Sequence, residues 1–178
     1  DIQAIKQTTG TTFSDDFEDQ NITDWTSSGA ATWSTPNDGA PQNYVVQSTA
    51  SAGDFFLVST TAGNQTDFTY TAKVKIPTTG GSGFAGLTFR YASTGVRYEF
   101  YLRQFSGATD NVRLRKNGAT LAETSTVTPV IAYDTWYTLK VVMVGTSIKC
   151  YVDNVLYIDT TDSTPLSLLK IASVHQKH

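Results

Sequence analysis

Residues 68–76 read FTYTAKVKI, a stretch in which apolar and polar side chains alternate strictly. In an extended chain the apolar side chains would all point to one side: Phe68, Tyr70, Ala72, Val74 and Ile76. The residues between them are threonines and lysines. This period of two predicts a β-strand with one face in the core and one face toward solvent, which is typical of an antiparallel sheet.

Similar short stretches follow one another along the chain and are separated by turn residues. Asn117 and Gly118 predict a tight hairpin between 112–116 and 119–124. Asp153 and Asn154 predict another turn, between 148–152 and 155–159. Further strands are predicted at 32–34, 44–47, 55–59, 84–91, 96–105 and 136–144. Because no stretch of ten or more residues has a helical period, we predict an all-β fold, an antiparallel β-sandwich or jelly roll.

Composition limits the organisation and the partners of the chain. Its 178 residues suit a single domain, and we predict a β-sandwich over 13–178 that follows a flexible segment at 1–12. The only cysteine, Cys150, leaves no intrachain disulfide. A net charge of −3 argues against nucleic-acid binding, and no apolar run is long enough to span a membrane. The richness in Thr, Ser, Gly and Asn favours a secreted protein.

Residue types that usually perform catalysis are scarce in this chain. The three glutamates, Glu18, Glu99 and Glu123, form no closely spaced carboxylate pair of the kind that glycosidases use. Both histidines, His175 and His178, lie at the extreme C-terminus, so a histidine base in the body of the domain is not expected. We therefore predict that the protein is not an enzyme.

All the arginines fall within a short part of the sequence: Arg90, Arg97, Arg103, Arg113 and Arg115. If residues 96–104 form a strand, four polar side chains share one face, and neighbouring strands bring further arginines alongside. The planar arginine fork suits carboxylates and vicinal hydroxyls, and tyrosine stacks on sugar rings. The predicted ligand-binding residues are Arg90, Arg97, Glu99, Tyr101, Arg103 and Arg113. The alternative is a solvated sheet face with weak, exposed ion pairs.

A second polar cluster, FSDDFEDQ, occupies residues 13–20. Several carboxylates beside backbone carbonyls in a short loop could supply the oxygen ligands that calcium requires. The alternative is a polar edge strand and turn whose aromatic residues, Phe13, Phe17 and Trp25, pack inward.

Several motifs together resemble a known family: FSDDFED at 13–19, GLTFRY at 86–91, RYEFYL at 97–102, RKNG at 115–118, DTWYTLKV at 134–141 and IKCYVD at 148–153. The chain resembles the concanavalin A-like lectin/glucanase sandwich. More narrowly, it is similar to the non-catalytic carbohydrate-binding modules, including family 66, of secreted bacterial polysaccharide-degrading enzymes.

This resemblance implies a structural calcium ion near the acidic N-terminal strand, with Asp16 and Glu18 as its candidate ligands. Such modules usually close with a Gly-rich strand, whereas this chain ends KIASVHQKH at 170–178. We therefore expect the closing strand to be missing or replaced.

The resemblance also implies a function. We expect a non-catalytic module that directs a secreted glycan-degrading enzyme, to which it is fused in the parent protein, to a polysaccharide or oligosaccharide. The clustered arginines favour a pectin-like acidic glycan or a fructan. One alternative is a jelly-roll polysaccharide lyase acting on a uronate polymer, although the Gln-x-His strand and the Lys/Tyr-rich strand of such lyases are not found in the sequence. Another is an adhesive or protein-interaction sandwich.

Overall fold

A computed structural model describes residues 2–7, 13–29, 31–39, 43–48, 55–64, 66–78, 83–105, 110–124, 131–167 and 170–177, with the backbone alone for 4–7 and 170–177. Fifteen strands lie in this part of the chain: β1 Ile2–Gln7, β2 Ser14–Asp15, β3 Trp25–Ser28, β4 Trp33–Ser34, β5 Gln47–Ser48, β6 Phe55–Ser59, β7 Phe68–Lys75, β8 Gly83–Ser93, β9 Val96–Gln104, β10 Asn111–Lys116, β11 Ala119–Thr124, β12 Trp136–Val144, β13 Ser147–Val152, β14 Val155–Thr161 and β15 Lys170–Lys177. None of the described residues forms a helix that is long and apolar enough to cross a membrane.

The strands form two large sheets and one small one. The six-stranded sheet has the order β14-β13-β12-β7-β1-β2, the seven-stranded sheet the order β11-β10-β9-β8-β15-β6-β3, and β4 pairs with β5. Neighbouring strands are antiparallel, and one buried apolar cluster draws residues from both large sheets. The predicted antiparallel β-sandwich is thereby confirmed.

Strand β7 shows why this sequence forms a sandwich. Phe68, Tyr70, Ala72 and Val74 are at most 2% exposed, as their alternation predicts, and the strand pairs with both β1 and β12. Lys75 is the exception, since it lies on the opposite face and is nevertheless only 9% exposed. Its Nζ lies 2.5 Å from Asp38 Oδ1 and 5.0 Å from the centre of the Trp136 ring, contacts that sequence periodicity does not reveal.

The predicted tight turns are confirmed by their backbone angles. Asn117 and Gly118 have φ values of 52° and 81°, and Asp153 and Asn154 have values of 47° and 67°. Two consecutive positive φ angles are the signature of a two-residue hairpin whose twist matches that of its strands. These turns set the β10–β11 and β13–β14 hairpins.

Each end of the chain forms a strand that was not among the predicted ones. Residues 2–7 form β1 between β7 and β2, so the prediction of a flexible segment at 1–12 is wrong for these residues; 8–12 lie outside the described residues. The closing strand was expected to be missing or replaced, and it is not missing, because residues 170–177 form β15 between β8 and β6 in the seven-stranded sheet. Neither sequence, IQAIKQ or KIASVHQK, alternates strictly between apolar and polar residues, and β1 pairs with β7, and β15 with β6 and β8, far away along the chain.

Candidate functional site

Strand β9 places the predicted site on the outer face of the seven-stranded sheet. Its residues Tyr98, Phe100 and Leu102 are fully buried and belong to the core. Because side chains alternate along a strand, the intervening ones lie on the opposite face: Arg97, Glu99, Tyr101 and Arg103. The prediction that these four residues share a face is confirmed.

Neighbouring strands complete this face. Arg113 of β10 is directly opposite Tyr101, and on the other side β8 places Gly86 opposite Tyr101. A Cβ atom on Gly86 would lie 2.3 Å from the Cβ of Tyr101, so only glycine permits this approach. The rings of Phe84 and Tyr101 pack with their centres 5.3 Å apart. Tyr101 is therefore held by its neighbours and is only 3% exposed.

A cleft of about 270 Å³ opens on this face. We call it the arginine cleft, and it is lined by Phe84, Tyr101, Arg103, Arg113, Arg115, Gly118 and Thr120. Three of the predicted ligand-binding residues, Tyr101, Arg103 and Arg113, thus line one cavity. Apolar rings and guanidinium groups occur together in it, a combination that suits the apolar faces and polar edges of a sugar ring.

The arginines of the cleft are held in different ways. Arg113 forms an ion pair with Glu123 at 2.7 Å, and Arg115 Nε donates to the Gly118 carbonyl at 2.8 Å. The Arg103 guanidinium lies 3.8 Å from the centre of the Phe105 ring. Burial lowers the pKa of Arg103, and the charge of Arg113 lowers it further, yet arginine stays protonated in proteins. All three side chains therefore carry positive charge.

Arg97 and Glu99 form a buried pair beside the cleft rather than in its lining. Arg97 Nη2 lies 3.2 Å from Glu99 Oε1, the Arg97 guanidinium lies 4.5 Å from the centre of the Phe56 ring, and Glu99 is fully buried. Arg115 Nη1 lies 3.9 Å from the other carboxylate oxygen of Glu99. The alternative of a solvated face with exposed ion pairs is wrong for Arg97 and Glu99. The buried carboxylate of Glu99 is therefore positioned to orient the guanidinium group of Arg115.

Arg90 is not among the residues that line the arginine cleft, and ligand binding by Arg90 stays a prediction. Its φ is 47°, and the register between β8 and β9 shifts after Phe89. Its guanidinium donates to the carbonyls of Leu166 and Thr66 at 2.6 and 2.5 Å. Both contacts tie loops to the sheet, so Arg90 has a structural role. A backbone irregularity of this kind cannot be read from alternation alone.

Asp16 and Glu18, the predicted calcium ligands, both lie in the exposed loop after β2. Asp16 Oδ1 accepts the backbone N–H of Glu18, and Glu18 Oε1 accepts that of Tyr44. Within the described ranges, no three His, Cys, Asp or Glu side chains come together to hold a metal ion. Calcium requires six to eight oxygen ligands, and these two side chains do not supply a set that fits it. Calcium binding stays a prediction.

Several residues of the site were missed by the sequence analysis. Phe84 was not predicted, and Arg115, which the arginine cluster offered as an alternative to Arg113, was not among the predicted ligand-binding residues, yet both line the cleft. Phe84 required the register of β8 against β9, which no sequence signal provides. Nearby, Thr88 Oγ1 and Asn111 Oδ1 are buried without a hydrogen-bond partner among the described residues. They are further polar groups close to the arginine cleft.

The sequence of this chain matches a known protein family. A family model described as "3-keto-alpha-glucoside-1,2-lyase-like domain" matches residues 12–172, most of the sequence. The chain belongs to this family. A comparison with curated proteins finds no match.

Solved structures similar to this family member confirm its fold. The carbohydrate-binding module CBM66 from Bacillus subtilis is 28% identical, with a TM-score of 0.67 over 87% of this chain and 88% of that one. The β-glucanase of Bacillus licheniformis is 17% identical, with a TM-score of 0.59 over 95% and 86%. A Bacillus subtilis protein with a galectin-like fold is 13% identical, with a TM-score of 0.57 over 87% and 83%. The expected resemblance to family 66 modules and to the lectin/glucanase sandwich is confirmed.

Proposed function

We propose that the chain is a carbohydrate-binding module whose ligand occupies the arginine cleft. The observation that carries the proposal is the cleft itself, in which Tyr101 and Phe84 lie beside three arginines on one face of the sheet. The similarity to the Bacillus subtilis module CBM66 supports it. Aromatic rings contact the apolar face of a sugar, and arginine forks donate to its hydroxyl or carboxylate oxygens.

The cleft is suited to bind with little rearrangement. Arg113 is held by Glu123, and Arg115 is held by the Gly118 carbonyl, so fewer side-chain rotamers must be ordered when a ligand arrives. Its volume of about 270 Å³ lies just below the roughly 300–1,000 Å³ typical of ligand pockets. We infer that it accommodates the end of a glycan rather than a long internal stretch of chain.

We also propose which glycans the arginine cleft binds. A pectin-like acidic glycan and a fructan both offer oxygen atoms that the arginines of the cleft can bind. We further propose that the protein is secreted and that it directs a fused catalytic module to its polysaccharide. These parts of the proposal rest on the resemblance of the sequence and on the chemistry of the cleft.

Affinity electrophoresis in gels that contain levan, inulin, pectin or polygalacturonate tests the proposal. We expect retardation of the wild-type chain in at least one gel and its loss in Thr120→Trp, because the added indole fills the cleft from its exposed rim. Thr146→Trp is the matched control, since Thr146 is an exposed threonine in the β12–β13 turn of the other sheet. If the wild-type chain migrates in every polysaccharide gel as it does in a gel without polysaccharide, the proposal is wrong.

A lyase activity is the second candidate, because the family description names a 3-keto-alpha-glucoside-1,2-lyase. In such an elimination a base takes the proton from C2, beside the ketone, the C1=C2 bond forms as the C1–O bond breaks, and the departing oxygen takes up a proton and leaves as an alcohol. Within the described cleft lining, the phenol oxygen of Tyr101 is the candidate for this base. The test is incubation with a 3-keto-α-glucoside, with pectin and with alginate. Products that require Tyr101, judged by Tyr101→Phe, would favour the lyase, whereas binding without products favours the module.

The predicted calcium ion is tested separately from the glycan. If the chain binds calcium, calcium chloride should raise the melting temperature of the wild-type chain, because an ion that binds only the folded state stabilises it. The rise should be absent when Asp16→Asn and Glu18→Gln are combined. If calcium and EDTA leave the wild-type melting temperature equal, the calcium hypothesis is wrong.

A further inference from the structure

We propose that the arginine cleft selects a sugar that bears a carboxylate, and that Arg103 is the residue that pairs with this carboxylate. The inference rests on the proposed function and decides between its two classes of ligand. It commits the cleft to uronate-bearing glycan ends rather than to neutral fructan.

Positive charge is concentrated at the arginine cleft. The lining contains three guanidinium groups and no carboxylate. When the adjoining pair Arg97 and Glu99 and the partner Glu123 are included, four arginines face two glutamates, which leaves an excess of two positive charges. The chain as a whole has a net charge of −3, so this excess is local. A partly desolvated positive cleft attracts an anion more strongly than the same charges in open water would.

The contacts of the three arginines then assign their roles. Arg113 is paired with Glu123, and Arg115 donates to the Gly118 carbonyl. The Arg103 guanidinium, in contrast, forms no hydrogen bond or ion pair with any residue that the structure describes, and only the Phe105 ring lies against its face. A guanidinium group that stacks through its face keeps its N–H edge available for a carboxylate. Arg103 is therefore the arginine that a ligand can engage.

The N–H edge of Arg103 determines which chemical group of a ligand it binds best. A guanidinium edge and a carboxylate form two parallel, charge-assisted hydrogen bonds, which are about twice as strong as neutral ones. A neutral sugar would supply hydroxyl acceptors but would leave the excess charge of the cleft without a counter-charge. The cleft thus discriminates through the acid group of the sugar, while the partly exposed Phe84 ring, backed by Tyr101, contacts the sugar ring.

Isothermal titration calorimetry with three probes tests the inference: trigalacturonate, its methyl ester and a levan-derived oligosaccharide. We expect trigalacturonate to bind at least about 10-fold more tightly than its neutral ester, and to lose affinity as salt is added. Arg103→Gln should weaken trigalacturonate about 10- to 100-fold and leave the ester nearly unchanged. Lys73→Gln is the control, because Lys73 is an exposed cation on the other sheet. Unchanged melting temperatures show that the variants fold.

The possible outcomes test the uronate preference, the role of Arg103 and the proposed function separately. Binding of the levan oligosaccharide or of the ester, at least as tight as that of trigalacturonate, overturns the inference and leaves the carbohydrate-binding proposal standing. An equal loss of affinity in the Arg103 and Lys73 variants overturns the role of Arg103, since it indicates attraction by overall charge. If none of these probes binds and no gel retards the chain, the proposed function fails as well.

Discussion

Replacing Tyr98 with phenylalanine should destabilise the sandwich, because it deletes one buried hydroxyl and little else. The Tyr98 hydroxyl donates to Asp162 Oδ2 and accepts the backbone N–H of Leu166 at 3.3 Å. The ring stacks on Phe89 with centres 5.2 Å apart, a contact that phenylalanine keeps. The substitution therefore isolates the link between β9 and the segment that follows β14.

The expected magnitude follows from these contacts. A hydrogen bond to a charged group contributes about 1.5–3 kcal/mol, and Asp162 keeps its ion pair with Lys116 at 2.7 Å after the change. We therefore expect the free energy of unfolding to fall by about 2 kcal/mol. For a domain of this size each kcal/mol corresponds to roughly 2–4 °C, so the melting temperature should fall by about 4–8 °C.

Urea denaturation and calorimetry measure this loss, with Tyr151→Phe as the control. Tyr151 packs under Lys140, whose Nζ lies 4.3 Å from the ring centre, and its hydroxyl has no hydrogen-bond partner among the described residues. The control should stay within about 0.5 kcal/mol of the wild type. If Tyr98→Phe also falls within that margin, the role assigned to the hydroxyl is refuted.

The loss should also depend on pH. Burial acts to raise the pKa of Asp162, but hydrogen bonds from Lys116 and Tyr98 outweigh it and lower the pKa from 3.8 to about 2. A depressed carboxyl pKa contributes stability that is complete above the unfolded value and is lost as the pH falls through the folded one. The difference between wild type and Tyr98→Phe should thus be full at neutral pH and shrink from about pH 4 to about pH 2.

Three further predictions concern the sheet and the core. Arg97→Ala should cost about 3 kcal/mol of stability in urea denaturation, because it removes a partner of the fully buried Glu99; a loss below about 1 kcal/mol contradicts the buried pair. Gly86→Ala should cost about 1–3 kcal/mol by calorimetry, since its Cβ would lie 2.3 Å from the Cβ of Tyr101, and wild-type stability would show that this contact relaxes freely. Cys150 is fully buried, and burial raises the pKa of its thiol, so a chromogenic disulfide reagent should react with it only after unfolding; rapid reaction in buffer would disprove this.

Part of the candidate site could be predicted from the sequence. Alternation alone placed Arg97, Glu99, Tyr101 and Arg103 on one face of β9, and the structure agrees. It did not reveal that Arg97 and Glu99 are buried while Arg103 lines a cleft. A period of two states which face a side chain occupies, but not how deeply neighbouring strands cover that face.

The sequence by itself determined the all-β class, most strands and the hairpin turns, because these features depend on local alternation and on the backbone preferences of residues such as Asn117 and Gly118. Only the tertiary structure decided the place of β15 within the seven-stranded sheet, the turning of Arg90 toward Thr66 and Leu166, and the meeting of Phe84 with Arg115 in one cleft. These features depend on strand register and on contacts between residues far apart in the chain, and no local pattern encodes them.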